Sequence, residues 1–532
     1  MKSPIKNIIL VGMTSAICAC TNRYADFNTD PTQPTEDMLQ RDYYQLGAFF
    51  LQMQKNVLPA GSNGTDEINQ YQVTDNLQGD IYSGYMGVSN NWNGGQNNSN
   101  YGLVPGWYEE MFKRAYLGNL AGWTEIKNRA TTPETVALAD IIKVAGFHRA
   151  TDTYGPLPYS GIKAGVVSTK YDSQQAIYDS FFKELDNAIG VLTTFSQNFP
   201  NSKILANYDL IYQGDIRKWI QFANSLKLRL ALRIVYADPA KAKLYAESAV
   251  NHPIGVIKTA DASAAIKSSP TNLIRNPISA ICYLYDDVRM GANMESFLKG
   301  YKDPRISSYF NPVTIGGTTG YFGIRNGIQI SNKALYTPFS TIKLEENSPL
   351  PWLTAAETYF ARAEGALRGW NMGGTAKDLY ETGVRTSFQQ AGASGADNYL
   401  NDSSSTAAAY RDPVSSSNNV NTGSTLLSTI TVKWNETDSF EKKLERIITQ
   451  KWIAVFPNGQ EAWSEFRRTG YPKIFPVVVN YSGGTIDTSK QIRRMPFPNS
   501  EYRDNPQGIA SGVTALGGAD NGGTRLWWDK KN

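Results

Sequence analysis

Two histidines, His148 and His252, and three cysteines, Cys18, Cys20 and Cys282, are all that 532 residues supply of the commonest metal ligands and nucleophiles. There is no His-Glu-x-x-His pattern, no Gly-x-Ser-x-Gly elbow and no glycine loop of the kind that cradles phosphate, so the usual metal, serine and nucleotide chemistries have nothing to stand on. A surplus of either charge is lacking too. Lys and Arg number 52 against 48 Asp and Glu, a net +4 with no basic stripe, which argues against a nucleic-acid partner. No catalytic residue, metal or cofactor is therefore expected. What is abundant is aromatic and small: 30 Tyr, 21 Phe, 11 Trp and 45 Gly. Tyr and Trp combine an apolar face with a polar edge, which suits a wet binding surface or the filling of helix interfaces. With 41% apolar and 19% charged residues the chain has the composition of a large globular protein.

Long apolar runs are also missing. The strongest, around Ile8-Ile9-Leu10-Val11-Gly12-Met13, follows Lys2 and Lys6 and fades through small residues into Ile17-Cys18-Ala19-Cys20. At roughly a dozen residues it is too short to span a membrane and has the form of a cleaved export signal over residues 1–19. Its last four residues resemble a lipobox, which makes Cys20 the expected lipidation site and residues 20–35 a polar tether. Loss of the signal and acylation of Cys20 leave Cys282 alone, so no internal disulfide is expected. Cys282 sits in the apolar run 281–285 and reads as a small buried hydrophobe.

Residues 36–532 are expected to form one domain. Apolar residues recur at steps of three and four in 36–58, 132–150, 172–192 and 215–236, the period of amphipathic helices. Thr132 with Pro133 marks a helix start, and the second of these helices is expected to end near Ala150. Two helix hairpins follow: an Ala-rich helix over 352–368 that turns at Asn371-Met372-Gly373-Gly374 into 375–388, and 441–456 that turns at Pro457-Asn458-Gly459 into 460–468. Such pairs suggest tetratricopeptide-like stacking, a mainly α fold. Long irregular segments interrupt it near 79–106, 251–350 and 392–431, with short β pieces expected at 321–324 and 429–434.

Carboxylates are the remaining candidate catalysts. Glu461 and Glu465 lie one helical turn apart beside Trp463, a spacing a glycosidase can use, but Lys451, Arg467 and Arg468 are close in sequence and ion pairing accounts for both acids. Glu357 and Glu364, two turns apart, read as packing or surface residues. His148 reads as structural. The stronger candidate is a binding surface in 79–106, where Tyr82, Tyr85, Trp92 and Tyr101 stand among Gly and Asn: sugar C–H faces stack on aromatic rings while amides serve the hydroxyls. Packing of the same rings against the helices is the competing reading.

Several blocks carry a resemblance. They are Asp26-Phe27-Asn28-Thr29-Asp30-Pro31, the motif Asp152-Thr153-Tyr154-Gly155-Pro156-Leu157-Pro158-Tyr159, residues 219–230 from Trp219 to Leu230, and 450–472 from Gln450 to Pro472. In this order they resemble the SusD/RagB outer-membrane lipoproteins of Bacteroidetes. The resemblance implies a SusD-like α-α superhelix, a scaffold role for Asp152, Tyr154, Gly155, Pro158 and Tyr159, and a lipid anchor in the outer membrane, facing the cell surface. It also implies a nutrient-uptake role without catalysis: capture of an oligosaccharide or peptide and delivery to a SusC-like TonB-dependent transporter. Thr21-Asn22-Arg23-Tyr24-Ala25 lacks the acidic cluster common after the lipidated Cys of surface-exposed relatives.

Overall fold

The computed structural model describes residues 44–61, 65–162, 168–269 and 272–531. The export signal, Cys20, the tether and the first expected helix before Tyr44 lie outside them. Contacts divide the chain into Met1–Ala48 and Phe49–Asn532; apart from the start of the first helix, the features below belong to the second unit.

Helix pairs dominate. After α1 (Tyr44–Val57) come α2 (Pro133–Tyr154), α3 (Gln174–Asn198), α4 (Ile216–Arg233) and α5 (Pro239–Val250). The second half supplies α6 (Ala355–Leu367), α7 (Ala376–Gln390), α8 (Phe440–Ala454), α9 (Gly459–Thr469) and α10 (Pro506–Leu516). Local chemistry marks most starts: Ser173, Asp215, Asp238, Thr354, Thr375, Ser439 and Asn458 each accept a hydrogen bond from a first-turn amide, which satisfies one of the donors a helix leaves open. Thr132 precedes Pro133 at the start of α2 but makes no such bond, its hydroxyl meeting Thr135 Oγ1 at 2.9 Å instead.

Helices pack on their neighbours, α2 on α3, α3 on α4, α4 on α5, and α6 on both α7 and α8; α2 and α4 are buried all round over 141–154 and 222–233, whereas α3 buries one stripe. In α3 the stripe is Ile177, Phe181, Leu185, Ala188 and Leu192, all fully buried. The Ala-rich face of α6 lets α7 approach closely, and a Cβ on Gly383 of α7 would come within 3.0 Å of the Phe360 ring.

Strands are few and short. β1 (Met86–Val88), β2 (Ala264–Ile266), β3 (Val288–Met290), β4 (Val313–Ile315), β5 (Thr318–Gly320) and β6 (Leu350–Leu353) form three antiparallel pairs, β1–β3, β2–β6 and β4–β5. The β pieces expected at 321–324 and 429–434 are not strands. Ile324 makes a single bridge to Gly291, and 429–434 is irregular chain leading into α8. Aromatic and β-branched enrichment there reflects packing between helices, which uses the same residue types.

The hairpin α8–α9 is set against the segment Gln72–Asp80, whose backbone is π-helical, and the approach is close. A Cβ on Gly79 would lie 2.5 Å from the backbone nitrogen of Gln460 and 2.7 Å from its Cα, so glycine is needed for the two main chains to meet.

Candidate functional site

Beneath any surface site lies a buried ionic cluster that settles the candidate carboxylates. Glu461 and Glu465 of α9 are 2% and 3% exposed. Arg233 of α4 reaches both, at 2.5 Å to Glu461 Oε2 and 2.9 Å to Glu465 Oε1. Lys451 of α8 lies 3.3 Å from Glu461 and 3.2 Å from Glu465. Arg468 joins Glu465 to Glu364 of α6, at 2.6 Å each, and Arg229 pairs with Glu357 at 2.7 Å. Burial alone would raise these acids. The surrounding cations outweigh it and hold Glu364 and Glu461 below, and Glu465 well below, the ordinary glutamate value. Acids so held are permanent charges that tie α4, α6, α8 and α9 together.

The motif residues extend this scaffold. Helix α2 runs through Tyr154, four residues past the expected end at Ala150, because Thr151, Asp152 and Thr153 are all buried and partnered. Asp152 accepts from Tyr178 Oη at 2.6 Å and Trp528 Nε1 at 2.8 Å and lies 3.3 Å from Arg233 Nε. The Tyr154 hydroxyl donates to the Tyr108 carbonyl, and its own carbonyl accepts from Arg494 Nε at 2.9 Å. Gly155 closes the helix at φ 90°, a conformation that favours glycine. The Pro158 carbonyl accepts from Tyr116 Oη at 2.6 Å, and the Tyr159 ring packs between Phe147 and Phe181 with its hydroxyl 2.6 Å from Glu184 Oε2. His148 is buried, its pKa lowered by desolvation and nearby arginines. Cys282 is buried and unpaired, its thiol pushed up by burial. Among the described residues no group of three His, Cys, Asp or Glu is placed to hold a metal ion.

The aromatic segment divides. Tyr82 and Tyr85 are buried, their hydroxyls donating to the carbonyls of Asn98 and Trp452, and their rings lie 5.1 Å from Trp463 and Trp452 respectively. Tyr101 is buried at φ 66° against Tyr82. Tyr82 and Tyr85 pack the loop onto the helices, whereas Tyr101, buried as it is, also lines the groove described below. Trp92 is different: half-buried, it meets the half-buried Trp107 edge to face at 5.7 Å.

The asparagines hold this loop rigid. Asn97 Oδ1 accepts from the Ser99 amide and Asn100 Oδ1 from the Asn97 amide, both at 3.0 Å. Asn98 donates to the Leu77 carbonyl and accepts from the Val104 amide, also at 3.0 Å. Next to the tryptophans in the chain, Asn93, Gln96, Tyr101 and Leu103 line a groove of about 480 Å³ together with Tyr481, Thr485 and Asn521; neither Trp92 nor Trp107 is part of its lining. Tyr481 links the two sets, its amide donating to the Asn100 carbonyl at 2.8 Å. Asp520 is the one charged residue in the lining, and its oxygens already accept from Arg494 Nη1, the Phe497 amide and Tyr502 Oη at 2.5, 3.0 and 2.8 Å. The groove is thus electrically quiet and rich in amides and hydroxyls. The sequence carries no sign of the rest of the lining, because 481–486 and 520–522 are turn segments rich in Gly, Ser, Thr and Asn that only the fold brings to Asn93, Gln96 and Tyr101.

Comparison with known proteins follows the same lines. Residues 26–529 match the family model for SusD and RagB outer-membrane lipoproteins. A chitin-binding SusD homologue from Flavobacterium johnsoniae is 43% identical over 91% of this chain and 98% of its own, with a TM-score of 0.85. A SusD homologue from Bacteroides uniformis is 42% identical over 92% of this chain and all (100%) of its own, at 0.85. One from Bacteroides thetaiotaomicron is 37% identical over 92% and 100%, at 0.84. No curated protein matches. Buried motif residues, stacked helix pairs and a match along nearly the whole chain lead to one assignment: this chain belongs to the SusD/RagB family of outer-membrane lipoproteins.

Proposed function

We propose that the chain is a lipid-anchored, cell-surface binding protein that captures a neutral oligosaccharide at Trp92, Trp107 and the adjoining groove and passes it unchanged to a TonB-dependent transporter. The observation that carries this reading is the half-buried Trp92–Trp107 pair, whose near neighbours in the chain, Asn93 and Pro105, line a groove of amides and hydroxyls in a loop already fixed by its asparagines. Preorganised aromatic faces stack sugar rings without ordering cost, and uncharged donors and acceptors meet the hydroxyls. Cleavage by Glu461 or Glu465 has no support, since both are buried in ion pairs and neither is free to act as acid or nucleophile. Oligomers of N-acetylglucosamine are the first ligands to try, because a relative 43% identical to this chain is a chitin-binding protein.

Calorimetric titration of the full chain in neutral detergent, with chitohexaose and a mixed peptide pool as alternative ligands, tests the reading. Saturable binding of the sugar is expected, about tenfold weaker in Trp92→Ala and weaker again in the variant that also carries Trp107→Ala, the loss of a stacking contact of about 1–1.5 kcal/mol each. Unchanged sugar affinity in the folded double variant would remove the site. Binding of peptide alone would replace its ligand.

A further inference from the structure

A second pocket, of about 510 Å³, opens at the start of α8, away from the Trp92 segment in sequence and lined by none of its residues. Its wall includes Lys433, Lys442 and Arg446, with Thr429, Thr431 and Ser403 adding hydroxyls. Arg446 is 3% exposed. Its Nε donates to the Thr431 carbonyl at 2.9 Å and its Nη2 pairs with Asp438 at 2.8 Å, but Nη1 is buried without any acceptor. A buried guanidinium with an unused donor is costly, and the cost is relieved by an acceptor brought from outside. Neither Lys433 nor Lys442 has an acidic side-chain partner among the described residues, while Asp438 is spent on Arg446 and Glu445 accepts from Ser428 Oγ at 2.6 Å. The first turn of α8, with its positive dipole end, contributes Lys442 to the same wall.

We propose that this pocket binds a compact oxyanion, a carboxylate or sulfate group, with Lys433 and Lys442 closing on it at the mouth and Arg446 behind. The same chemistry reaches the protein as a free ion or as the acidic group of a sugar, whose hydroxyls Thr429, Thr431 and Ser403 are placed to meet. The site stands apart from the neutral groove, so either reading survives failure of the other.

Thermal melting of the full chain in neutral detergent reads it out, with sodium sulfate replacing sodium chloride at constant ionic strength and methyl β-glucuronide set against methyl β-glucoside. Sulfate stabilises proteins generally by exclusion, so the measured quantity is the difference between the natural chain and Lys433→Gln/Lys442→Gln, two exposed positions whose change leaves the core alone. The natural chain is expected to show a saturable rise in melting temperature whose half-point lies about tenfold higher in concentration in the double variant. A rise with sulfate and glucuronide but not glucoside assigns the site to acidic sugars. A rise with sulfate alone assigns it to the free ion, and both outcomes uphold the oxyanion. An identical response of the two chains to every probe overturns it.

Discussion

At the scale of the residue, the buried acids of α9 are the clearest case of charge used as structure. Glu465 faces Arg233, Lys451 and Arg468 with almost no solvent. Such a pair adds little relative to well-packed apolar residues, yet removal of one partner leaves cations buried and uncompensated. Glu465→Gln is therefore expected to cost about 3–5 kcal/mol in denaturant unfolding. The pH dependence has a definite sign. Because the folded-state pKa of Glu465 is depressed, its contribution is complete above the unfolded value and fades as pH falls toward the folded one. The stability gap between the natural chain and Glu465→Gln should hold steady near neutrality and narrow below about pH 4.5. A gap that widened in acid would show that the carboxyl is protonated in the folded chain.

At the scale of the element, the contrast between two glycines separates packing from propensity. Gly79 is where the π-helical segment meets the backbone of Gln460, and Gly190 lies in α3 with nothing within 4 Å of its would-be Cβ. Gly79→Ala is expected to destabilise by about 1–3 kcal/mol through forced separation of the two chains. Gly190→Ala should stabilise by about 0.5–1 kcal/mol as a relief of helix entropy. Melting curves of the two variants should move in opposite directions, and a stabilised Gly79→Ala would mean the contact yields. The same contrast shows what was legible in the sequence. Helices such as α3 and α4 announce themselves because apolar residues repeat every three to four positions after a capping Ser or Asp, although in α4 the polar residues between them are buried as well from Phe222 to Arg233. The end of α2 was misplaced because Thr151 to Tyr154 are polar in composition but buried in fact, satisfied by Tyr178, Trp528 and Arg494 from distant parts of the chain. Of the aromatic segment, its importance was visible but the division of labour was not. Only the fold turns Tyr82 and Tyr85 inward, leaves Trp92 against Trp107, and brings Tyr481 and Asn521 into one groove with Asn93 and Tyr101.

At the scale of the whole molecule, the scaffold and the site have different demands, and the chain keeps them apart. The helix pairs carry the buried charge and much of the family motif, whereas the groove is built mostly from irregular segments between helices and the second pocket joins such a segment, 429–438, to the first turns of α8. For the capture and delivery we propose, the frame must also be held at the membrane beside a channel, and residues 1–35 carry the means expected from the sequence, an export signal, the lipidation candidate Cys20 and a polar tether. Among the described residues no helix is long and apolar enough to cross a membrane; the anchor we propose is the lipid on Cys20. An affinity-tagged chain extracted from outer membranes in mild detergent is expected to bring down a large β-barrel protein in near-equal amount, and Cys20→Ala to move the chain into the soluble fraction and lose most of that partner. Recovery of the lipidated chain alone, under conditions that keep other outer-membrane assemblies intact, would break the link between capture and transport. Persistence of Cys20→Ala in the membrane would place the anchor elsewhere than the lipid.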